Sequence, residues 1–435
     1  MKLPNVGLFR LVLLLAAAMM VLAIACSSDD DDDGDGEPTE PAAETEAPSD
    51  GDDLSFIPED TTGITDTEIL IGSHMPLSES SAAIFGTQIV PGMQAYFAYI
   101  NETEGGVNGR KIRLLVGDDH YLPSDTNTVV RKLVEQDGVF AIVSGLGTAQ
   151  HTAVFEYLTE NNIPDLFTAT GATLFTDPIT RTTFGYNPNY VQEGNAIGTY
   201  IAENFPEGTR VGLLIQNDDF GNDGKDGIES GLEGSGITIT TTETYEAVNS
   251  DMTAQVQRLR NADVDVIAAY TLPLQSGSLI NNARSTLDWD VPIIISGVSA
   301  DPITILLAGD AGQAEGVITT AYLTPTSQTE HPGIQKHIEI MAEYGGGADA
   351  TNLSVYGQSV AELTVKVFRD AGQDINRRNV IAAAEQVRDF LCSVCLGTIN
   401  LSPTDHRSIE TFSFAIAEGD SWVLFGDLVS YESTP

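Results

Sequence analysis

The chain has 435 residues, 42% of them hydrophobic, enough apolar material for two or three domains with cores of their own. Its formal net charge is −43, which excludes nucleic acid as a partner, because phosphate is repelled where no basic stripe exists. Fifteen acidic and no basic residues fall between Ser27 and Asp60, and the remainder is acidic too, as in a well-solvated surface or one adapted to salt.

At the N-terminus, Lys2 and Arg10 accompany an apolar run at 11–25. That run is short for a bilayer span of about 20 residues and suits a secretory signal. It ends Leu22-Ala23-Ile24-Ala25-Cys26, small residues before a cysteine, which resembles a bacterial lipoprotein site whose thiol takes the lipid. An ordinary signal peptide with an incidental cysteine is the competing reading. The expectation is a signal peptide over 1–25 and a lipid-anchored acidic disordered tether over 26–65. The tether is rich in Asp, Glu, Pro and Gly, so it has little to bury and repels itself into an extended leash. It lacks the spaced ligands of a calcium loop, and no metal or cofactor is expected.

From Thr65 the pattern becomes regular. EILIG (68–72) predicts a strand, and PLSESSAAIFG a polar loop. Ile89, Met93, Phe97 and Ile100 then recur at helical spacing, with Pro91 near the helix start. KIRLLVG (111–117) predicts a strand, 124–136 a helix capped by Ser124, VFAIV (139–143) a strand, 148–161 a helix and DLFT (165–168) a strand. The rhythm restarts after Asn189. VGLLI (211–215), ITITTT, DVIAAY (265–270) and VPIIIS (291–296) alternate with helices such as DMTAQVQRLRNA. Strands alternating with helices predict parallel sheets covered on both faces. VFAIV-loop-helix-NNIPDLF matches VDVIAAY-loop-helix-WDVPIII in order and length, so the reading is two similar Rossmann-like α/β lobes. A single doubly wound sheet is the alternative, though a chain this long normally divides.

In open α/β sheets ligands sit beyond the carboxyl ends of the strands. SGLGTAQHT (144–152), ATGAT (169–173), NDDFG (217–221), YTLPLQ (270–275) and SGVSAD (296–301) all lie there and together outline a cleft. The first is a glycine-bearing turn opening a helix, where free N–H groups and the helix dipole favour an anion. It has no lysine and does not fit the phosphate-loop spacing. A carboxylate, with one charge and a need for two or three donors, suits N–H groups plus threonine hydroxyls. Thr148 acting only as a helix cap is the alternative.

The segments INETEGGVNGRKIRLLVGDDHYLPSDTNTVVRKLVEQDGVFAIVSGLGT, PDLFTATGATLFTDP and LLIQNDDFGNDGKDGI resemble bacterial solute-binding proteins of the branched-chain amino-acid-binding type, the extracytoplasmic receptors of ABC importers. The likeness runs from about Glu68 to about Ser430. It implies the periplasmic binding protein type I fold, two lobes joined by three hinge crossovers. Lobe one takes 66–188 and 323–395, and lobe two takes 189–322 and 396–435. It further implies a monomer that holds a small carboxylate or amino acid between the lobes, lipid-anchored on the outer face of the cell membrane, and passes its ligand to a membrane permease. A ligand-sensing module of a signalling system is the alternative.

The resemblance places Thr148 at the family's carboxylate-binding hydroxyl with Ala149 beside it, and Ala169, Thr170, Gly171 and Thr173 at a second clamp. Phe85 and Phe220 fall at aromatic walls from lobes one and two. Val298 falls where amino-acid binders carry an acid for the ammonium, with Asp301 nearby but offset. Leu272 replaces a family aromatic. Tyr121 and Gly147 fall where some members have a disulfide, leaving Tyr121 to point into the cleft or pack on its loop. An apolar lobe-two side makes an aromatic or short aliphatic acid as plausible a ligand as an amino acid.

No enzyme is expected. The six histidines (74, 120, 151, 331, 337 and 406) show no HExxH spacing, and no Gly-x-Ser-x-Gly elbow occurs. Asp118-Asp119 and Asp218-Asp219 suit solvated or capping roles on loops after strands. Cys392 and Cys395 lack a second zinc half-site. In an exported chain a disulfide is the expectation for them, with a free or redox-active pair as the alternative.

Overall fold

The computed structural model describes residues 54–431, so the expected signal peptide, Cys26 and the tether up to residue 53 lie outside the described residues. The first lobe opens with β1 (Glu68–Met75), α1 (Ala83–Thr103), β2 (Lys111–Asp118), α2 (Pro123–Arg131), β3 (Ile142–Val143), α3 (Thr148–Glu160), β4 (Asp165–Thr168) and β5 (Thr183–Gly185). The second follows with α4 (Tyr190–Asn204), β6 (Arg210–Gln216), α5 (Asp219–Leu232), β7 (Thr238–Tyr245), α6 (Thr253–Asn261), β8 (Val266–Tyr270), α7 (Pro273–Asn281), β9 (Ile293–Ile295), α8 (Pro302–Leu307) and β10 (Ile318–Ala321). Helices α9 (Pro332–Tyr344), α10 (Asn352–Asp370) and α11 (Arg377–Ala384) return to the first lobe, and strands β11 (Thr411–Glu418) and β12 (Ser421–Ser430) complete the second.

Each lobe holds one sheet. The first runs β2-β1-β3-β4-β5, all parallel. The second runs β12-β11-β10-β9-β8-β6-β7, parallel through β6–β10, with β11 and β12 added antiparallel at one edge. Strands such as β8, VIAAY, are buried along their whole length because helices cover both faces, so they read as continuous apolar runs. The chain passes between the sheets three times, between β5 and α4, between β10 and α9, and between α11 and β11. These are the two α/β lobes and three crossovers expected.

Two helix pairs carry the packing next to the cleft. Helix α1 lies against α10, where a Cβ on Gly92 would fall 2.2 Å from the Ser354 carbonyl oxygen. Helix α4 lies against α5, where a Cβ on Gly227 would fall 2.2 Å from the Val191 carbonyl oxygen. Only glycine permits backbones this close.

Several boundaries differ from expectation. Helix α1 starts at Ala83, inside the segment read as a polar loop, and Pro91 sits in its interior. Proline's fixed φ is already helical, so the helix continues at the loss of one hydrogen bond. Helix α2 starts at Pro123 with Leu122 as its N-cap, so Ser124 lies within the first turn instead of capping it. Strand β3 shortens to Ile142–Val143.

The body reaches back to Leu54, past the tether limit of 65. Ile57 is fully buried, Ile64 pairs with Ile69, Asp60 meets Arg377 at 2.9 Å, and Arg378 donates to the Ile57 carbonyl at 2.8 Å. The apolar pair Ile57 and Ile64, in an otherwise acidic stretch, supplies the burial that orders it. Near the other end, residues 396–409 stay with the first lobe instead of joining the second at 396. Ile399 pairs with Phe390 and Arg407 with Gly185, and the second sheet is entered only at Thr411. Cys392 and Cys395 are disulfide-bonded beside the second crossover, where Cys395 pairs with Leu323.

Candidate functional site

The loop after β3 is built to present the start of α3. Gly147 is its N-cap, with φ of +100°, and no side chain caps the helix. A Cβ there would lie 2.7 Å from the Tyr121 ring and 2.3 Å from Gln150 Oε1, so both conformation and space require glycine. Thr148 is therefore not a helix cap. Its Oγ1 lies 2.7 Å from Thr170 Oγ1, and both residues are buried. The first-turn N–H groups of α3, at Thr148 and Ala149, have no partner within the helix.

The second loop is zipped to the first. Leu146 pairs in parallel with Ala169, and Ala169 N–H donates to the Gly145 carbonyl at 2.8 Å. The parallel sheet thus continues one step past β3 and β4, fixing both loops as a single surface. Tyr190, at the start of α4, lines the cavity of the cleft beside Thr148. Burial pushes the Tyr190 phenol up, so it stays a neutral donor.

This surface faces a cavity of about 100 Å³ between the lobes. Phe85, Tyr121, Thr148, Ala169, Phe220, Leu272 and Val298, all named from the sequence, line it. Tyr121 lines the cavity, and its carbonyl accepts from Gln150 Nε2 at 2.8 Å, which ties its loop to α3. Ala149 and Thr170 stand just behind Thr148.

Gly171 and Thr173 do not reach the cavity. Gly171 is packed under Pro188 and Tyr190, and its carbonyl accepts from Tyr190 N–H. Thr173 N–H donates to Asp223 Oδ2 at 2.8 Å, and its hydroxyl accepts from Asn189. The expected second clamp therefore joins the lobes to each other.

The second lobe's wall is apolar. Tyr190 meets both Phe220 and Tyr270 edge to face, and Phe220 and Tyr270 are tilted against each other, with centroids 4.8 to 6.1 Å apart. Val298 lines the cavity where an acid was sought. Asp301 is committed elsewhere. It caps α8 through Ile303 N–H at 2.9 Å and accepts from Leu353 N–H of α10 at 3.3 Å, across the cleft. Asn352 likewise donates to the Ala300 carbonyl at 3.1 Å. Glu193 sits beneath the loop, accepting from Gly297 N–H at 2.6 Å and from the Thr320 hydroxyl, with burial pushing its carboxyl up. Among the described residues, no Asp, Glu, Lys, Arg or His side chain lines the cavity, and no cluster suited to a metal ion occurs.

Sequence reasoning missed Asn187, Tyr190, Tyr322, Asn352, Tyr356 and Trp422, all of which line the cavity. Asn187 and Tyr190 lay in a readable signal, the polar-aromatic NPNY after β5. Tyr356 and Trp422 come from the buried face of α10 and from the last strand, where nothing local marks them.

A family model described as periplasmic binding protein matches residues 68–421. The chain is 28% identical over 276 residues to Leu/Ile/Val-binding protein homolog 2 of Brucella abortus (strain 2308), covering 63% of this chain and 72% of that protein. It is 23% identical over 309 residues to homolog 1 of Brucella suis, covering 71% and 80%. Among solved structures, a branched-chain amino acid ABC transporter protein from Thermus thermophilus with bound valine matches with a TM-score of 0.75 at 19% identity, over 84% of this chain and 97% of that one. An ABC transporter solute-binding protein from R. palustris in complex with benzoate matches at 0.72 and 16%, over 84% and 98%. These are solute receptors acting outside the cytoplasm, not an enzyme family. The chain belongs to the periplasmic binding protein family, and the relatives it resembles include Leu/Ile/Val-binding protein homologues.

Proposed function

We propose that the protein captures a small carboxylate that carries no amine, an aromatic or short aliphatic acid, and delivers it to an ABC import permease. The supporting observation is the asymmetry of the cavity. On the lobe-one loops it meets Thr148 and the free N–H groups at the start of α3, and among its lining residues no acid is present to hold an ammonium. The carboxylate is held by the Thr148 hydroxyl and the first N–H groups of α3, including Ala149. Phe85, Tyr121, Ala169, Phe220, Leu272 and Val298 enclose its apolar part, and Thr170 orients Thr148. Capture begins on lobe one and the hinge then closes, with Asp301, Asn352 and Thr173 making the contacts between lobes. The ligand's higher affinity for the closed state drives closure. Cys26 carries the lipid, and the acidic tether floats the monomer off the membrane.

A thermal-shift panel of branched-chain and other amino acids, benzoates, and short aliphatic acids and amides tests this, because a ligand of the native state raises the melting temperature. A rise with amine-free acids is expected; a rise with amino acids alone overturns the ligand class. Cys26→Ser is expected to release the protein from the membrane fraction, and retention there overturns the anchor.

A further inference from the structure

Behind the ligand loop lies a chain of four buried side chains that the capture mechanism does not use. Asp119 Oδ2 contacts His74 Nδ1 at 2.9 Å, His74 Nε2 contacts His151 Nδ1 at 3.0 Å, and His151 Nε2 contacts Asp165 Oδ2 at 2.7 Å. All four residues have no solvent exposure. They come from the loop after β2, from β1, from α3 and from β4.

Proton bookkeeping decides the state of this relay. Two neutral imidazoles carry two ring protons, but the relay has three contacts. If each carboxylate takes one proton, the two nitrogens 3.0 Å apart present lone pairs to each other. A third proton between them satisfies every contact. Its location follows from the carboxylates. Asp119 also accepts from Tyr121 N–H at 3.0 Å and from the Thr126 hydroxyl at 3.0 Å. Asp165 Oδ1 is buried without a partner, so His151 is the main compensation for its charge. Burial pushes the His74 imidazole down from its usual value, against the pull of Asp119, which favours a neutral His74.

We infer that the His74–His151 pair, between Asp119 and Asp165, holds one proton more than two neutral imidazoles carry, and that this third proton positions the ligand loop, making carboxylate capture weaken as pH rises. This rests on the carboxylate reading of the cavity for its last step only. The coupling is steric. A Cβ on Gly145 would fall 2.4 Å from His74 Nε2 and 2.8 Å from His151 Nδ1, so the loop lies directly on the N···N contact. Leu146 N–H donates to the His74 carbonyl, and His151 N–H to the Gly147 carbonyl. Thr148 stands one turn before His151 on α3. Removing the proton sets lone pair against lone pair under Gly145 and raises the net negative charge of the four residues behind an anion site. The titratable groups facing the pair are Asp119 and Asp165. Helix α2 adds only Thr126, and the turn at Thr173–Phe175 adds the Phe175 ring, 5.0 Å from the His151 ring. His74, His151, Asp119 and Asp165 are positioning residues, since none lines the cavity.

The test needs no ligand at first. Long-range 1H–15N spectra of the intact, uniformly 15N-labelled chain are recorded from pH 5 to 9. Three of the four ring nitrogens of the His74–His151 pair are expected to be protonated near neutrality, and the Gly145 and Thr148 amides to shift with the midpoint at which the third proton leaves. A bare N···N contact near neutrality, or loop amides that ignore the relay, overturns the inference. Calorimetry with benzoate follows. Affinity is expected to fall by about tenfold, a coupling of ordinary size between linked sites, as the proton is lost, and to be flat with pH in His151→Asn. A parallel pH profile in both proteins overturns the coupling. If benzoate fails to bind at any pH while the spectra show the proton and the amide shifts, the ligand class falls and the relay stands.

Discussion

The two walls of the cleft solve different problems. Lobe one offers hydroxyls and a helix start on a surface held rigid by an extra step of parallel pairing, Leu146 with Ala169. Lobe two offers Phe220, Leu272, Val298 and Trp422, which have nothing to say about a charged head group but bury whatever is attached to it. On the proposed reading, orientation belongs to one lobe and retention to the other. Polar contacts made on one wall survive opening, whereas the area buried against the second wall is surrendered at once, which suits a receptor that must release what it binds.

The comparison breaks most sharply at Val298. Val298→Asp puts a carboxylate on the retaining wall, and like-charge opposition is expected to cost several kcal/mol of affinity for an amine-free acid while favouring amino acids. Calorimetry with benzoate and valine reads both arms. Gly147→Ala attacks the orienting wall through its backbone. A strained φ and the contacts with Tyr121 and Gln150 are expected to lower stability by about 1–3 kcal/mol, read by denaturant unfolding. Thr148→Ala removes one donor from a bound charge and is expected to weaken carboxylate binding by about 1–3 kcal/mol without lowering stability as much. Unchanged affinity would leave the helix N–H groups as the whole anchor.

The smallest effect concerns the prop beneath lobe two. Glu193 is held above its ordinary 4.5 by burial, so the native state binds its proton more tightly than the unfolded chain does. Its contribution is present below 4.5 and is lost as pH rises through the raised value. Glu193→Gln keeps an oxygen for Gly297 N–H, so the wild type is expected to lose melting temperature relative to the variant as the pH climbs through that window.

Most of the fold was legible because parallel strands buried on both faces leave continuous apolar runs, and the VFAIV and DVIAAY units repeat the same order. Thr148, Ala169, Phe220 and Val298 were legible because strand tips are where such folds bind. Thr173 misled because its fate depends on Asp223, 50 residues away on the opposite lobe. Tyr356 and Trp422 were invisible because their pattern is that of any buried helix face or strand. Helix α1 was cut short because a serine-rich approach and an interior proline both imitate a boundary.

The segment from Leu54 enters the body under Arg377 and Arg378 of α11, in the first lobe. Any pull carried along the chain that precedes it is therefore delivered to that lobe alone and is spent on two guanidinium clamps before it can reach the cleft. If the proposed anchor holds, the lobe assigned to orienting the ligand is the one that bears the load, and the other swings unloaded.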